Sequence, residues 1–237
     1  MTDMNMANRQ CCDLDIRNYA DKTPFLYADF CNTTTAGFNS DAVYAMKKGA
    51  KCIKFDNPLE GTMTMEFQVH PFKIYSFLSD GVIETNAIVS QKEEITATEA
   101  GKLTIKGTPD ANSVFVMDVD GNILEGATVA DKVVSCTAVQ KDATYKVCYL
   151  ETKTSGVKKV AFNNKKVPKY FWIQMATLDK AEDGTLVPVR ITAYKATPQR
   201  NLELSFSSEG DPASITLTID CLEDKDGNVL DIIEITE

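Results

Sequence analysis

The chain is 237 residues long and carries 34 acids against 25 bases, a net charge of −9 with its single histidine neutral. That length fits one large β domain or two small ones, and a 43% hydrophobic content is enough for a sizeable core and argues against global disorder. The acidic balance argues against affinity for nucleic acid by phosphate neutralisation, which needs clustered Lys and Arg, yet an acidic wall can stand beside DNA without holding it.

The opening stretch, MTDMNMANRQCCDLDIR, has no apolar h-region, so no secretory leader is expected. No run of about 18 apolar residues is present to predict a membrane span. Residues 1–23 are polar and aperiodic and are read as an N-terminal arm, leaving 24–237 as the β domain. Pro24 to Cys31 predicts a first strand, and Val43 to Phe55 two short strands around Gly49, with a helix capped by Ser40 as the rival there. Thr62 to Val69 alternates strictly, placing Met63, Met65, Phe67 and Val69 on one buried face. Pro71 to Ser79 has apolar residues three to four apart, with Pro71 suited to a first turn and Gly81 to a stop; it predicts the one short helix.

From Ile83 to Leu150 short β runs alternate with turns, and residues 91–150 are the candidate for a small inserted β module. Asp120-Gly121 predicts a type I′ hairpin between Val114–Val119 and Ile123–Leu124. Long strands are expected at Tyr170–Leu178 and Leu186–Tyr194 around Asp183-Gly184, and at Asn201–Phe206 and Ser214–Cys221 around Gly210-Asp211-Pro212. A last hairpin at Asp226-Gly227 leads to Val229–Ile235. The fold class is therefore mainly β, an antiparallel sandwich or barrel-like domain.

Charge is unevenly placed. Residues 201–237 hold ten acids and one base, Lys225, while the rest of the chain is balanced. Because this segment alternates like a half-buried strand pair, Glu203, Glu209, Asp211, Asp220, Glu223, Asp224 and Asp226 are candidates for an ordered acidic wall or interface. The connection 153–169 is basic, and its Lys153, Lys158, Lys159, Lys165, Lys166 and Lys169 are candidates for meeting those acids on an identical copy. Such a head-to-tail contact builds rings or stacks.

Little in the chain points to chemistry. His70 is the only histidine and lies at a strand-to-helix junction, where packing or capping is its expected role. Asp118–Asn122 and Asp224–Asn228 resemble calcium loops but fail the ligand spacing, since Val116, Ala127, Leu222 and Ile233 stand where ligands are needed; hairpin turns are expected instead. Seven scattered cysteines (Cys11, Cys12, Cys31, Cys52, Cys136, Cys148, Cys221) without a C-x-x-C are read as reduced, mostly buried thiols. The Cys11-Cys12 pair is expected at a surface or interface, and no metal or cofactor is expected. Tyr170, Phe171 and Trp172 suit a strand's own core better than a sugar-stacking platform.

The order of these features resembles the major tail tube proteins of long-tailed bacteriophages and related tail-like particles. The resemblance is carried by Val167-Pro168-Lys169 opening an aromatic strand, the strand pair around Asp183-Gly184 and the Lys195-Ala196 step. Ser207-Ser208-Glu209-Gly210-Asp211-Pro212 and the acidic Asp224–Asn228 turn continue it. Upstream, VYAMKKGAKCIKF, NPLEGTMTMEF and PFKIYSFLSDG fit the same plan, so the likeness covers most of residues 25–235, least well at 91–150. It implies a non-enzymatic virion protein, assembled in the host cytoplasm, whose copies form rings, usually hexamers, stacked into a hollow tube. The partners so implied are other copies, a tape-measure protein, a tail terminator and baseplate or tip proteins. DNA passes through the tube without specific binding. An Ig-like decoration or carbohydrate-binding module is the alternative class, and a two-carboxylate glycosidase the least favoured, since such a cleft is usually rich in aromatics and the chain has one Trp.

Overall fold

The computed structural model of the chain describes residues 5–110 and 112–235. Residues 1–4 of the expected arm, and the last two residues of the expected β domain, lie outside them. Seven strands come first: β1 (Met6–Ala7), β2 (Asp13–Asn18), β3 (Pro24–Ala28), β4 (Thr33–Asn39), β5 (Ala42–Lys47), β6 (Ala50–Asp56) and β7 (Glu60–Phe67). One helical turn, α1 (Ile74–Phe77), follows. Next come β8 (Ala87–Thr96), β9 (Lys102–Thr104), β10 (Phe115–Met117), β11 (Ile123–Leu124), β12 (Thr128–Ala130), β13 (Val133–Ser135) and β14 (Thr144–Lys153). Four longer strands close the chain: β15 (Phe171–Ala181), β16 (Leu186–Pro198), β17 (Ile215–Leu222) and β18 (Leu230–Glu234). Every ladder between them is antiparallel, as the β-rich pattern predicts.

The chain splits into two compact units, Met1–Val82 with Ala161–Glu237, and Ile83–Val160. In the first, a sheet runs in the order β3-β2-β15-β16-β17-β7-β4, with β1 on β15 and β18 on β16. Thr34 on β4 accepts the Cys12 N–H at 2.9 Å, so the segment entering β2 lies against the edge strand β4. Period-2 alternation fills that core: Met63, Met65 and Phe67 from β7, Phe171, Ile173 and Met175 from β15, and Leu217 and Ile219 from β17 are each at most 1% exposed. Burying each of these side chains contributes about 2 kcal/mol before entropy is counted. Ile74, Phe77 and Leu78 from the helical turn close the same core. Gly61 fits closely there, because a Cβ would lie 3.0 Å from Cys221, Val229 and Leu230 and would need those side chains to give way.

Several expectations are corrected. Residues 13–18 are not part of an arm: β2 pairs with β15 along its whole length, and Leu14 and Ile16 are fully buried. Two alternating apolar residues are too short a run to announce a central strand, and only its neighbours on both sides make it one. Val69 lies beyond the end of β7 and is 76% exposed. Residues 201–206 form no strand and are mostly exposed, so the expected hairpin with Ser214–Cys221 is absent. The ladder of β16 with β17 covers only Lys195–Pro198 against Ile219–Leu222.

The turn at Asp226-Gly227 joins no hairpin either. β17 and β18 both pair with β16, in the same direction, Lys195 facing Leu222 and Ala193 facing Leu230. They form one edge interrupted by a loop, a protrusion held by its own bonds. The Asp224 N–H donates to the Asn228 carbonyl at 2.9 Å and the Gly227 N–H to the Asp224 carbonyl at 3.3 Å, with Gly227 at φ 87°. Asp118–Asn122 and Ala181–Thr185 close in the same way, with Gly121 and Gly184 at φ 88° and 90°. Asp120 has no positive φ, so that turn is a three-residue loop ending on a left-handed glycine, not type I′. The two-residue type I′ signature is found instead at Lys48-Gly49, both with positive φ (50° and 84°), between the facing residues Lys47 and Ala50.

The second unit, Ile83–Val160, has a sheet of order β11-β10-β14-β8, a sheet of order β12-β13-β9, and a core of its own around Val116, Val134, Val147, Leu103 and Tyr149. Its two chain ends are tied together: Glu84 and Lys159 exchange both backbone bonds at 2.8 Å and pair through their side chains at 2.7 Å.

Candidate assembly surface

β5 and β6 pair with each other and with no other strand among the described residues. The hairpin is closed at its base by the Ser40 hydroxyl on the Asn57 carbonyl (2.7 Å) and the Asn57 N–H on the Asp41 carbonyl (2.9 Å). Its apolar residues stay in water: Val43, Met46, Ile53 and Phe55 are 57–59% exposed. An isolated two-stranded ribbon is marginally stable and exposed apolar patches mark contact surfaces. The hairpin is also basic, carrying Lys47, Lys48, Lys51 and Lys54 against Asp56. Lys54 pairs with Asp56, and the Lys51 ammonium sits 4.0 Å from the centre of the Tyr44 ring. The sequence hid this surface because alternation there looks like that of a packed strand; only the lack of a neighbour distinguishes it.

The candidate acids divide by environment. Glu203, Glu209 and Asp211 are exposed on the long loop between β16 and β17, and Glu223 and Asp226 are exposed on the protruding loop after β17. Asp220 on β17 is half-buried and accepts the Gln199 side-chain amide at 2.7 Å. Asp224 serves its own loop: Oδ1 accepts the N–H groups of Asp226 (2.9 Å) and Asn228 (2.8 Å). The bond from the Asn228 backbone, the largest influence, holds its carboxyl below the ordinary 3.8. Asp118 does the same for its loop, its carboxyl lowered first by the Asn122 side chain.

The candidate lysines do not form one set. Lys153, Lys158 and Lys159 belong to one unit and Lys165, Lys166 and Lys169 to the other. Lys153 pairs with Glu151 (3.4 Å), Lys159 with Glu84 (2.7 Å) and Lys166 with Asp80 (3.3 Å), so half of this charge is met within the chain. Lys158, Lys165 and Lys169 are exposed.

The remaining candidates are structural. His70 Nε2 lies 2.8 Å from the Tyr75 hydroxyl, and its ring packs on Phe67 and Tyr75. Phe171 is fully buried, while Lys195 covers Tyr170 and Lys22 lies over Trp172, so the three aromatics share no open face. Three of the seven cysteines, not most, are buried. Burial pushes the thiols of Cys221 and Cys31 up to about 12. Among the described residues no group of His, Cys, Asp or Glu is placed to hold a metal ion, and no helix is long and apolar enough to cross a membrane.

An antiparallel β fold whose β5–β6 hairpin has no partner strand among the described residues presents an apolar surface suited to contact with another chain. The family model described as the YomU/Tube protein family matches residues 12–235. The chain therefore belongs to the YomU/Tube protein family, which bears out the resemblance to phage tail tube proteins and makes it a structural component of a virion tail. No curated protein matches the chain.

Proposed function

We propose that copies of this chain polymerise as stacked rings, hexameric by the resemblance, into a hollow tail tube that surrounds a tape-measure protein and later passes DNA. A tail terminator and baseplate or tip proteins would cap its ends. The carrying observation is the β5–β6 hairpin, which leaves four large apolar side chains in water in the single chain. The acidic segment supports a lumen role: Glu203, Glu209, Asp211, Glu223 and Asp226 are exposed and carry charge that repels DNA instead of trapping it. In the same reading residues 83–160 are a β module inserted in the tube domain, supported by their separate core and by the Glu84–Lys159 tie.

Negative-stain electron microscopy of the purified chain at high concentration tests this. Tubes or stacked rings of uniform width are expected. A chain that stays monomeric at its highest soluble concentration overturns it.

A further inference from the structure

We propose that the cleft between β4 and β18 receives the β5–β6 hairpin of a second copy; this rests on the self-association reading above. The cleft, about 380 Å³ in volume, is lined by Ala36 and Phe38 of β4, Ile191 of β16, and Leu230, Asp231 and Ile232 of β18. Two observations mark it as a receptor. Its floor is continuous with the core, since Ala36, Ile191 and Leu230 pack on the buried cluster, while Phe38 and Ile232 at its rim are 65% and 69% exposed. Among the described residues both flanking strands have an unpaired edge, β4 pairing only with β7 and β18 only with β16, and free edges bind extended segments through their backbone.

The hairpin is the part of this chain that matches. It offers apolar side chains and four lysines. The receiving side, β18 and the loop before it, carries Glu223, Asp224, Asp226, Asp231 and Glu234 against Lys225. Opposite charge favours that pairing and sets its register. Hairpin and cleft are different surfaces, so each copy gives one and receives one, the arrangement that closes rings or extends stacks.

Two variants of the full chain test the contact by sedimentation. Ile232→Asp blocks the cleft and leaves the hairpin; Val43→Asp with Phe55→Asp blocks the hairpin and leaves the cleft. Each alone is expected to lose assembly, and an equimolar mixture is expected to form a 1:1 complex through the one intact pairing. Ile232→Asp assembling like the unmodified chain overturns the proposal, as does an unmodified chain that assembles while the mixture does not pair. An unmodified chain that never associates refutes the self-association reading itself. If Ile232→Asp shifts the thermal transition, Phe38→Ser with Ile232→Ser replaces it and the same outcomes decide.

Discussion

The Asp224 carboxylate accepts the Asn228 backbone N–H at 2.8 Å, so this acid closes a loop and is not free to serve a wall. Asp224→Ala is therefore expected to lower the thermal transition more than Asp226→Ala, whose carboxylate is exposed and only loosely paired with Lys225 at 3.9 Å. Asp118→Ala in the matching loop behaves like Asp224→Ala. Both carboxyls are lowered by folding, so the stability they add is present above the unfolded value near 3.8 and is lost as pH falls through the lower folded value. Thermal melts from pH 5 downward on the unmodified chain and the two Ala variants check the sign; equal acid sensitivity in all three refutes it.

In the second unit the Tyr149 hydroxyl donates to Glu93 at 2.5 Å and accepts the Gly107 N–H at 3.1 Å. Tyr149→Phe is expected to cost about 1–2 kcal/mol, read as faster hydrogen exchange in residues 83–160. Gly107→Ala is expected to be worse, because its Cβ would stand 2.3 Å from that hydroxyl.

The same pair sets a pH window. Burial, then the bond to Glu93, pushes Tyr149 up to about 12, so its contribution is in place below pH 10 and fades as pH rises through 12. Burial raises Glu93, but bonds from Tyr149 and the N–H groups of Lys106 and Gly107 outweigh it and leave it lowered. Its contribution is present above about 4.5 and is lost as pH falls through the folded value. Tyr149→Phe should flatten the alkaline limb of a stability profile; an unchanged limb refutes the assignment.

Leu14 and Ile16 are core residues. Leu14→Ala or Ile16→Ala is expected to cost about 2–5 kcal/mol, whereas removing residues 1–9, which takes away the two exposed residues of β1 and the Asn8 side-chain bonds to β15, should lower the thermal transition less. Equal losses from the two kinds of change would place the fold's beginning elsewhere.

Charge reversal separates the two lysine groups. Lys47→Glu with Lys48→Glu on the hairpin should weaken assembly, and raising salt should weaken assembly of the unmodified chain as well. Lys153→Glu and Lys166→Glu break exposed or half-exposed pairs within the chain, each worth about 0–1 kcal/mol. They should leave assembly intact; the reverse ranking would return the interface to residues 153–169.

Much of this was legible in the residues. Alternation of Met63, Met65 and Phe67, and of Ile215, Leu217, Ile219 and Cys221, announces buried faces because successive side chains of a strand point to opposite sides. Gly121, Gly184 and Gly227 mark turns because a left-handed backbone favours glycine at a local position. These are properties of a residue and its immediate neighbours, and they carried the β class, the one helical turn and most strand positions.

Pairing was decided elsewhere. Whether residues 13–18 are an arm or a central strand depends on β15, more than 150 positions away. Alternation in Leu202, Leu204 and Phe206 yields no strand because no ladder continues there, and Phe206 remains 90% exposed. β17 and β18 read as two arms of a hairpin, yet both follow β16, and Lys159 and Lys166 read as free charge until Glu84 and Asp80 arrive beside them. The sequence by itself determined the period, the turns and the charge of each segment, since these are set within a few bonds. Only the tertiary structure decided which edges, apolar faces and charges remain unpaired for another copy, because pairing depends on segments brought together from distant parts of the chain.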